Sequence, residues 1–178
     1  FFFYQRILLR AFARNRYVFA TFTRAFSKSF LGILFQMIKC ILYPGIKVFI
    51  VAGSKEQAAS IAREKIEELF EMFPALRYET IEKKIQFQKD YVRVPFKNGA
   101  KFDVVGALES TRGGRRHSGI MEEVILIDGE KLNSVILPLM NVNRQAACGG
   151  VDKNEIHKQQ LYVTTAGYKD TFSYDKLI

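Results

Sequence analysis

The chain has 178 residues, enough for one domain with a sizeable core and short for two. Its 48% hydrophobic and 13% aromatic content exclude a disordered tail. A net charge of +9 favours polyanionic partners through counterion release, although a basic surface kept for solubility would read the same way.

Two cysteines, Cys40 and Cys148, form no spaced framework, so a reduced intracellular protein is expected, with Cys40 a small core residue. No apolar stretch reaches twenty residues, because Lys39 interrupts the run 30–38 and Pro44-Gly45 ends it; no membrane partner is expected. The chain opens without Met in an apolar stretch and stops within what reads as an opening helix, as a piece of a longer protein would.

Residues 1–15 carry Tyr4, Ile7, Leu8, Ala11 and Phe12 at helical spacing, with Arg6, Arg10 and Arg14 between them: an amphipathic helix with a basic face. Residues 17–22 show no polar alternation before Thr21, the mark of a strand buried on both sides. An apolar helix over 29–42 follows, then the apolar strand KVFIVA at 47–52. Gly53-Ser54 opens a second helix with a capping-box pattern from Ser54 to Gln57, running to Phe73-Pro74. Strand, helix, strand, helix implies a parallel sheet covered on both faces.

Residues 91–96 and 101–105 flank Asn98-Gly99, a hairpin signal that adds an antiparallel piece to the sheet's edge. TRGGRRH at 111–117 is a basic glycine-rich loop ahead of a short apolar run and Glu122-Glu123. Residues 131–140 look helical with a kink or end at Pro138, and 143–159 read as a polar surface loop. Residues 161–165 return as a buried strand. His117 and His157 lack metal-ligand companions and read as surface histidines.

The chemistry centres on TFTRAFSKS, residues 21–29. It joins a strand to a helix through Lys28-Ser29, the arrangement of a nucleotide-phosphate loop, but Phe22 and Ser27 stand where G-x-x-x-x-G-K-[ST] has glycines. Helix N-terminal amides attract phosphate, an ammonium neutralises β/γ oxygens and a hydroxyl ligates Mg²⁺. An ordinary strand-to-helix turn with a solvated lysine is the competing reading. A left-handed Ser27 would cost about 1 kcal/mol. An ATPase also needs carboxylates at a neighbouring strand end, for which Glu122-Glu123 and Asp128, after the apolar 124–127, compete. Arg112, Arg115 or Arg116 could meet charge developing on a γ-phosphate, or face DNA or solvent. Thr164-Thr165 could touch the nucleotide site or cap a turn before Gly167.

In order, QRILLRAFARNRYVFATFTRAFSKS, KVFIVAGSKEQA, ESTRGGRRHSGIMEE and LYVTTAG resemble the ATPase domain of the tailed-phage terminase large subunit, across nearly the whole chain. The resemblance implies an α/β P-loop NTPase fold of three layers and Mg²⁺-dependent ATP hydrolysis coupled to packaging of double-stranded DNA. Arg24 fits the arginine four residues before the family's lysine, whereas Ser27 replaces its glycine and Glu122 its usual Asp. Residues 24–29 (Arg24, Ala25, Phe26, Ser27, Lys28 and Ser29) would then form the phosphate loop, with Ser29 and Glu122 toward Mg²⁺. Because Arg112-Gly113 precedes Glu122-Glu123 by the family's short spacer, the resemblance favours this pair over Asp128. Glu123 becomes the catalytic carboxylate and Arg112 the arginine finger. Thr164-Thr165 becomes the coupling motif and Gln5 the adenine reader. Implied partners are the portal or procapsid, the small terminase subunit and further copies in a ring, in the cytoplasm of an infected bacterium. An isolated monomer should be slow, and the RNase H-like nuclease of such subunits is not expected within this stretch. A helicase-like translocase, and a degenerate P-loop module that binds DNA or a partner without hydrolysis, are the alternatives.

Overall fold

The computed structural model describes residues 1–106, 114–146 and 148–165. Helix α1 (Phe3–Arg14) leads into strand β1 (Tyr17–Thr21), helix α2 (Lys28–Leu42), strand β2 (Lys47–Val51) and helix α3 (Lys55–Met72). The Ser54 hydroxyl caps α3 by accepting from the Gln57 amide at 3.1 Å. After the short helix α4 (Pro74–Tyr78) come strands β3 (Gln86–Phe87), β4 (Val92–Pro95), β5 (Lys101–Val104), β6 (Ser118–Glu122) and β7 (Gln159–Thr164).

The seven strands form one sheet in the order β1-β7-β6-β2-β5-β4-β3. Strands β1, β7, β6, β2 and β5 run parallel, and β4 and β3 add antiparallel at the far edge. This is the expected α/β arrangement with its antiparallel addition. Between β4 and β5, the chain turns with Gly99 at φ +82° and the Gly99 amide donating to the Phe96 carbonyl, a turn that favours glycine.

The period of two sorts the inner strands into two cores. Val48, Ile50, Ile120, Leu161 and Val163 face a layer made by α1, α2 and α3. Phe49, Val51, Met121 and Tyr162 face the opposite layer, with Leu132, Val135, Ile136 and Leu139. The latter four come from residues 129–140, one helical stretch that passes from α to π to 3₁₀ geometry, Pro138 lying in its 3₁₀ part.

Several expectations are corrected. Strand β1 is not buried on both sides: it is the edge strand, with Tyr17 and Thr21 exposed. His117 is buried rather than superficial, its Nδ1 accepting from the Lys47 amide at 2.9 Å. Burial and the neighbouring cations Lys47, Arg144 and Arg116 hold its imidazole down at about 4, hence neutral. The 143–159 segment is polar for an internal reason: Arg144 and Glu155 are both buried and pair at 2.6 Å, and Arg144 also donates to the Pro44 carbonyl. The apolar residues before Asp128 form a 3₁₀ turn (Val124–Leu126), not a strand. Among the described residues, no helix is long and apolar enough to cross a membrane.

One glycine makes room for an aromatic ring between the central strands. Gly119 in β6 stands beside Phe49 in β2, and a Cβ at Gly119 would overlap the Phe49 ring. Gly119→Ala is therefore expected to lower stability by about 1–3 kcal/mol, and a smaller residue at Phe49 should recover part of the loss. Denaturant unfolding of the two variants checks this; an unchanged midpoint for Gly119→Ala would show that the ring can move aside freely.

Candidate phosphate-binding site

The parallel strands deliver their carboxyl ends to one rim, where open α/β sheets bind ligands. At this rim β1 runs into the 22–27 loop, whose entry is fixed by the Phe22 amide donating to the Thr164 carbonyl at 3.1 Å. Two non-glycine residues of the loop are left-handed, Ala25 (φ 62°) and Ser27 (φ 53°), each strained by about 1 kcal/mol. Ser27 stands at the N-cap of α2 without capping it by its side chain, so the helix presents its first amides and the positive end of its dipole to the rim.

Lys28 and Ser29 begin α2 and meet Glu122, the last residue of β6, and Glu123, just beyond it. The Lys28 ammonium, buried, pairs with Glu123 Oε1 at 2.8 Å, and the Ser29 hydroxyl donates to Glu122 Oε1 at 2.5 Å. From the neighbouring strand, the Thr165 amide and hydroxyl each donate to Glu123 Oε2 at 3.1 Å, with the Thr164 hydroxyl at 3.4 Å. Glu123 itself is left-handed at φ 47°.

The environments split the two carboxyls. Glu122 is 1% exposed, and burial pushes its carboxyl up to about 7 against the opposing Ser29 hydrogen bond and Lys28 charge. Burial would raise Glu123 as well, but the Lys28 ammonium and the Thr165 donors outweigh it and hold the carboxyl below its ordinary value. Glu122 Oε2 is buried without a hydrogen-bond partner.

A cleft of ≈ 700 Å³ opens beside this cluster. One wall is the loop and the start of α1, including Gln5, Phe26 and Ser29; the other is the end of α3, with Lys65, Glu68 and Met72. Gln5 is buried and its carboxamide oxygen accepts the Phe2 amide at 2.9 Å, which ties it to the start of α1. Phe26 packs between Tyr4 (ring centroids 4.2 Å apart) and Phe22 (5.2 Å), fastening the loop to α1. Arg24 is exposed.

Other named residues lie elsewhere. Asp128 is exposed and caps the 129–131 turn through the Glu130 amide. Arg116 forms a two-pronged pair with Asp103 (2.9 and 2.7 Å) at the amino end of β6, the opposite end of that strand from Glu122. Arg112 lies outside the described residues. The α3 wall of the cleft escaped the sequence reading, because Lys65, Glu68 and Met72 are separated by helical spacing that any amphipathic helix shows.

The fold resembles that of phage large-terminase ATPase domains. The large terminase of bacteriophage HK97 matches with a TM-score of 0.68 at 12% identity, over 93% of this chain and 33% of that one. The ATPase domain of the Thermus phage P74-26 large terminase matches with a TM-score of 0.61 at 19% identity, over 94% of this chain and 66% of that one. The large terminase of another thermophilic bacteriophage matches at 0.57 and 11% identity, over 93% of this chain and 38% of that one. The chain thus spans about a third of the first of these proteins and 38% of the third. No family sequence model matches it, and no curated protein sequence is similar to it.

The raised Glu122 carboxyl makes stability depend on pH. Between about pH 4.5 and 7 the unfolded chain loses this proton while the folded, nucleotide-free and metal-free protein keeps it. The contribution is therefore complete below pH 4.5 and lost as pH rises toward 7. Glu122→Gln should flatten that fall, by on the order of 3 kcal/mol across the interval. Chemical unfolding of both proteins at stepped pH checks it, and parallel curves would contradict the assigned protonation.

Proposed function

We propose that this chain is a terminase-like ATPase domain whose hydrolysis of ATP drives movement of double-stranded DNA. The observation that supports it most is the convergence of Lys28-Ser29 at the start of α2 on Glu122-Glu123 at the end of β6. Phosphates would settle on the amides of residues 25–29 with Arg24 nearby, the Lys28 ammonium moving from Glu123 to a phosphate oxygen. Gln5, in the cleft wall, would meet the base.

Loss of the ammonium removes the main group that holds Glu123 down, so its carboxylate becomes a better base just when a nucleotide is present. Glu123, held by Thr165, then orients a water and takes its proton as the oxygen attacks the γ-phosphorus and the bond to ADP breaks. Thr164, the last residue of the strand between β1 and β6, and Thr165 just after it would pass the loss of phosphate to the sheet. The Ser29 hydroxyl and Glu122, whose unpartnered Oε2 suits a cation's water shell, fit Mg²⁺. A metal held by these two residues would supply neutralisation of charge on the phosphates. Arg112 remains the proposed finger, from this copy or a neighbour in a ring. Portal or procapsid and a small terminase subunit are the proposed partners, in the cytoplasm of an infected bacterium.

Turnover in the full-length protein with procapsid and DNA tests the assignment. Lys28→Ala is expected to lose nucleotide binding and turnover. Glu123→Gln should keep binding and lose about 10²–10⁴-fold in kcat, while Asp128→Asn should change neither. Equal turnover in wild type and Lys28→Ala would defeat the motor reading. A second check concerns the strained loop: Ser27→Gly should stabilise the protein by roughly 0.5–1 kcal/mol, seen as a higher Tm, since glycine takes φ 53° without a Cβ clash. A lower Tm would mean that the Ser27 side chain contributes more than its strain costs.

A further inference from the structure

The first 55 residues of the chain carry Lys and Arg but no acidic residue. The first acidic residue is Glu56, and the nine Lys and Arg before it equal the whole net charge of +9, so residues 56–178 are balanced. Five of the nine precede α2, and all five are arginines: Arg6, Arg10, Arg14, Arg16 and Arg24. Each is exposed. No carboxylate pairs with any of them among the described residues.

Three of these arginines form a row. Leu8 and Phe12 turn the inner side of α1 into the core, and Arg6, Arg10 and Arg14, four residues apart, follow one another along its outward side. Successive guanidiniums are carried about 6 Å apart along the axis. Arg16, over the Tyr17 ring at 5.1 Å, extends the row onto β1, the exposed edge of the sheet. At the opposite edge, the seven Lys and Arg of residues 77–101 are interleaved with Glu79, Glu82 and Asp90, and three of them are paired: Arg77 with Glu82, Lys89 with Glu56 and Lys101 with Asp103.

A row of unneutralised cations is costly to the fold through mutual repulsion unless a partner supplies anions at a matching repeat. A nucleic-acid duplex supplies them in any register, and the planar guanidinium fork suits phosphate better than an ammonium does. We propose that the outward face of α1, through Arg6, Arg10 and Arg14 with Arg16, is where the domain holds the phosphate backbone of duplex DNA. This rests on the DNA-moving function proposed above. It adds a physical link: α1 carries the arginines outward and Gln5 inward at the nucleotide cleft, so one helix touches both.

Anisotropy of mixed-sequence duplex DNA, titrated with protein at several salt concentrations, tests the surface. The triple change Arg6→Gln, Arg10→Gln, Arg14→Gln keeps good helix formers and should reduce the slope of log K against log salt by about 3. Lys83→Gln, Lys84→Gln, Lys97→Gln removes the same charge from the opposite edge and should leave the slope nearly unchanged. Equal losses in the two triples would overturn the proposal in favour of a diffuse net-charge effect. So would intact DNA binding in the arginine triple together with loss of self-association in sedimentation, which would make α1 a contact between copies. A wild-type protein that hydrolyses ATP but does not bind DNA refutes this surface and leaves the ATPase standing. One that binds DNA through the arginines but never hydrolyses ATP refutes the motor and supports the surface.

Discussion

The ion pair between Lys28 and Glu123 is the contact on which the site depends. A lysine at the start of a buried helix needs an anion within reach, since an isolated ammonium in such a place would lose its proton or unfold its surroundings. Glu123 supplies it from the end of β6, with a backbone already turned left-handed there. The pair holds two segments far apart in sequence at one rim, and it is possible only because β1, β7 and β6 run side by side in parallel. A register slip of one residue in β6 would turn Glu122 and Glu123 to the opposite faces.

The same contact explains why adjacent glutamates behave differently. Glu122, the last residue of β6, stays in the dry interior and meets one hydroxyl; Glu123, one step further, leaves the sheet and meets an ammonium and the donors of Thr165. Their environments thus drive two adjacent carboxyls apart in proton affinity, Glu122 upward and Glu123 downward. Gly119, three residues earlier, leaves the space that the Phe49 ring of β2 occupies, so the strand that ends at Glu122 also sets packing within the sheet.

Much of the fold was legible because its signals are local. The helical spacing of Leu8 and Phe12, the apolar run of β2 and the Asn98-Gly99 turn each follow from short-range rules. What escaped was the environment of single residues. Tyr17 and Val18 look the same in an edge strand as in a central one, and nothing near His117 announces that Lys47 will donate to it across the sheet. Arg144 and Glu155 are polar letters in a polar segment, and only their meeting beside Tyr43 and Pro44 at the turn between α2 and β2 makes them interior. The cleft was half legible: its loop wall is contiguous in sequence, but its α3 wall is not.

The sequence by itself determined the elements, the alternation of strand and helix, the residue types at the strand ends and the lack of any acidic residue in the first 55 positions, because these depend on near neighbours and composition. The tertiary structure alone decided that Lys28 would face Glu123, that Glu122 would be dry, and that Asp128 would end in solvent. It also decided which side of α1 keeps its arginines outward. The physical reason is the order of strands: sequence order runs β1, β2 and on to β7, whereas space places β7 and β6 between β1 and β2. Long-range pairing of that kind is written in no single segment.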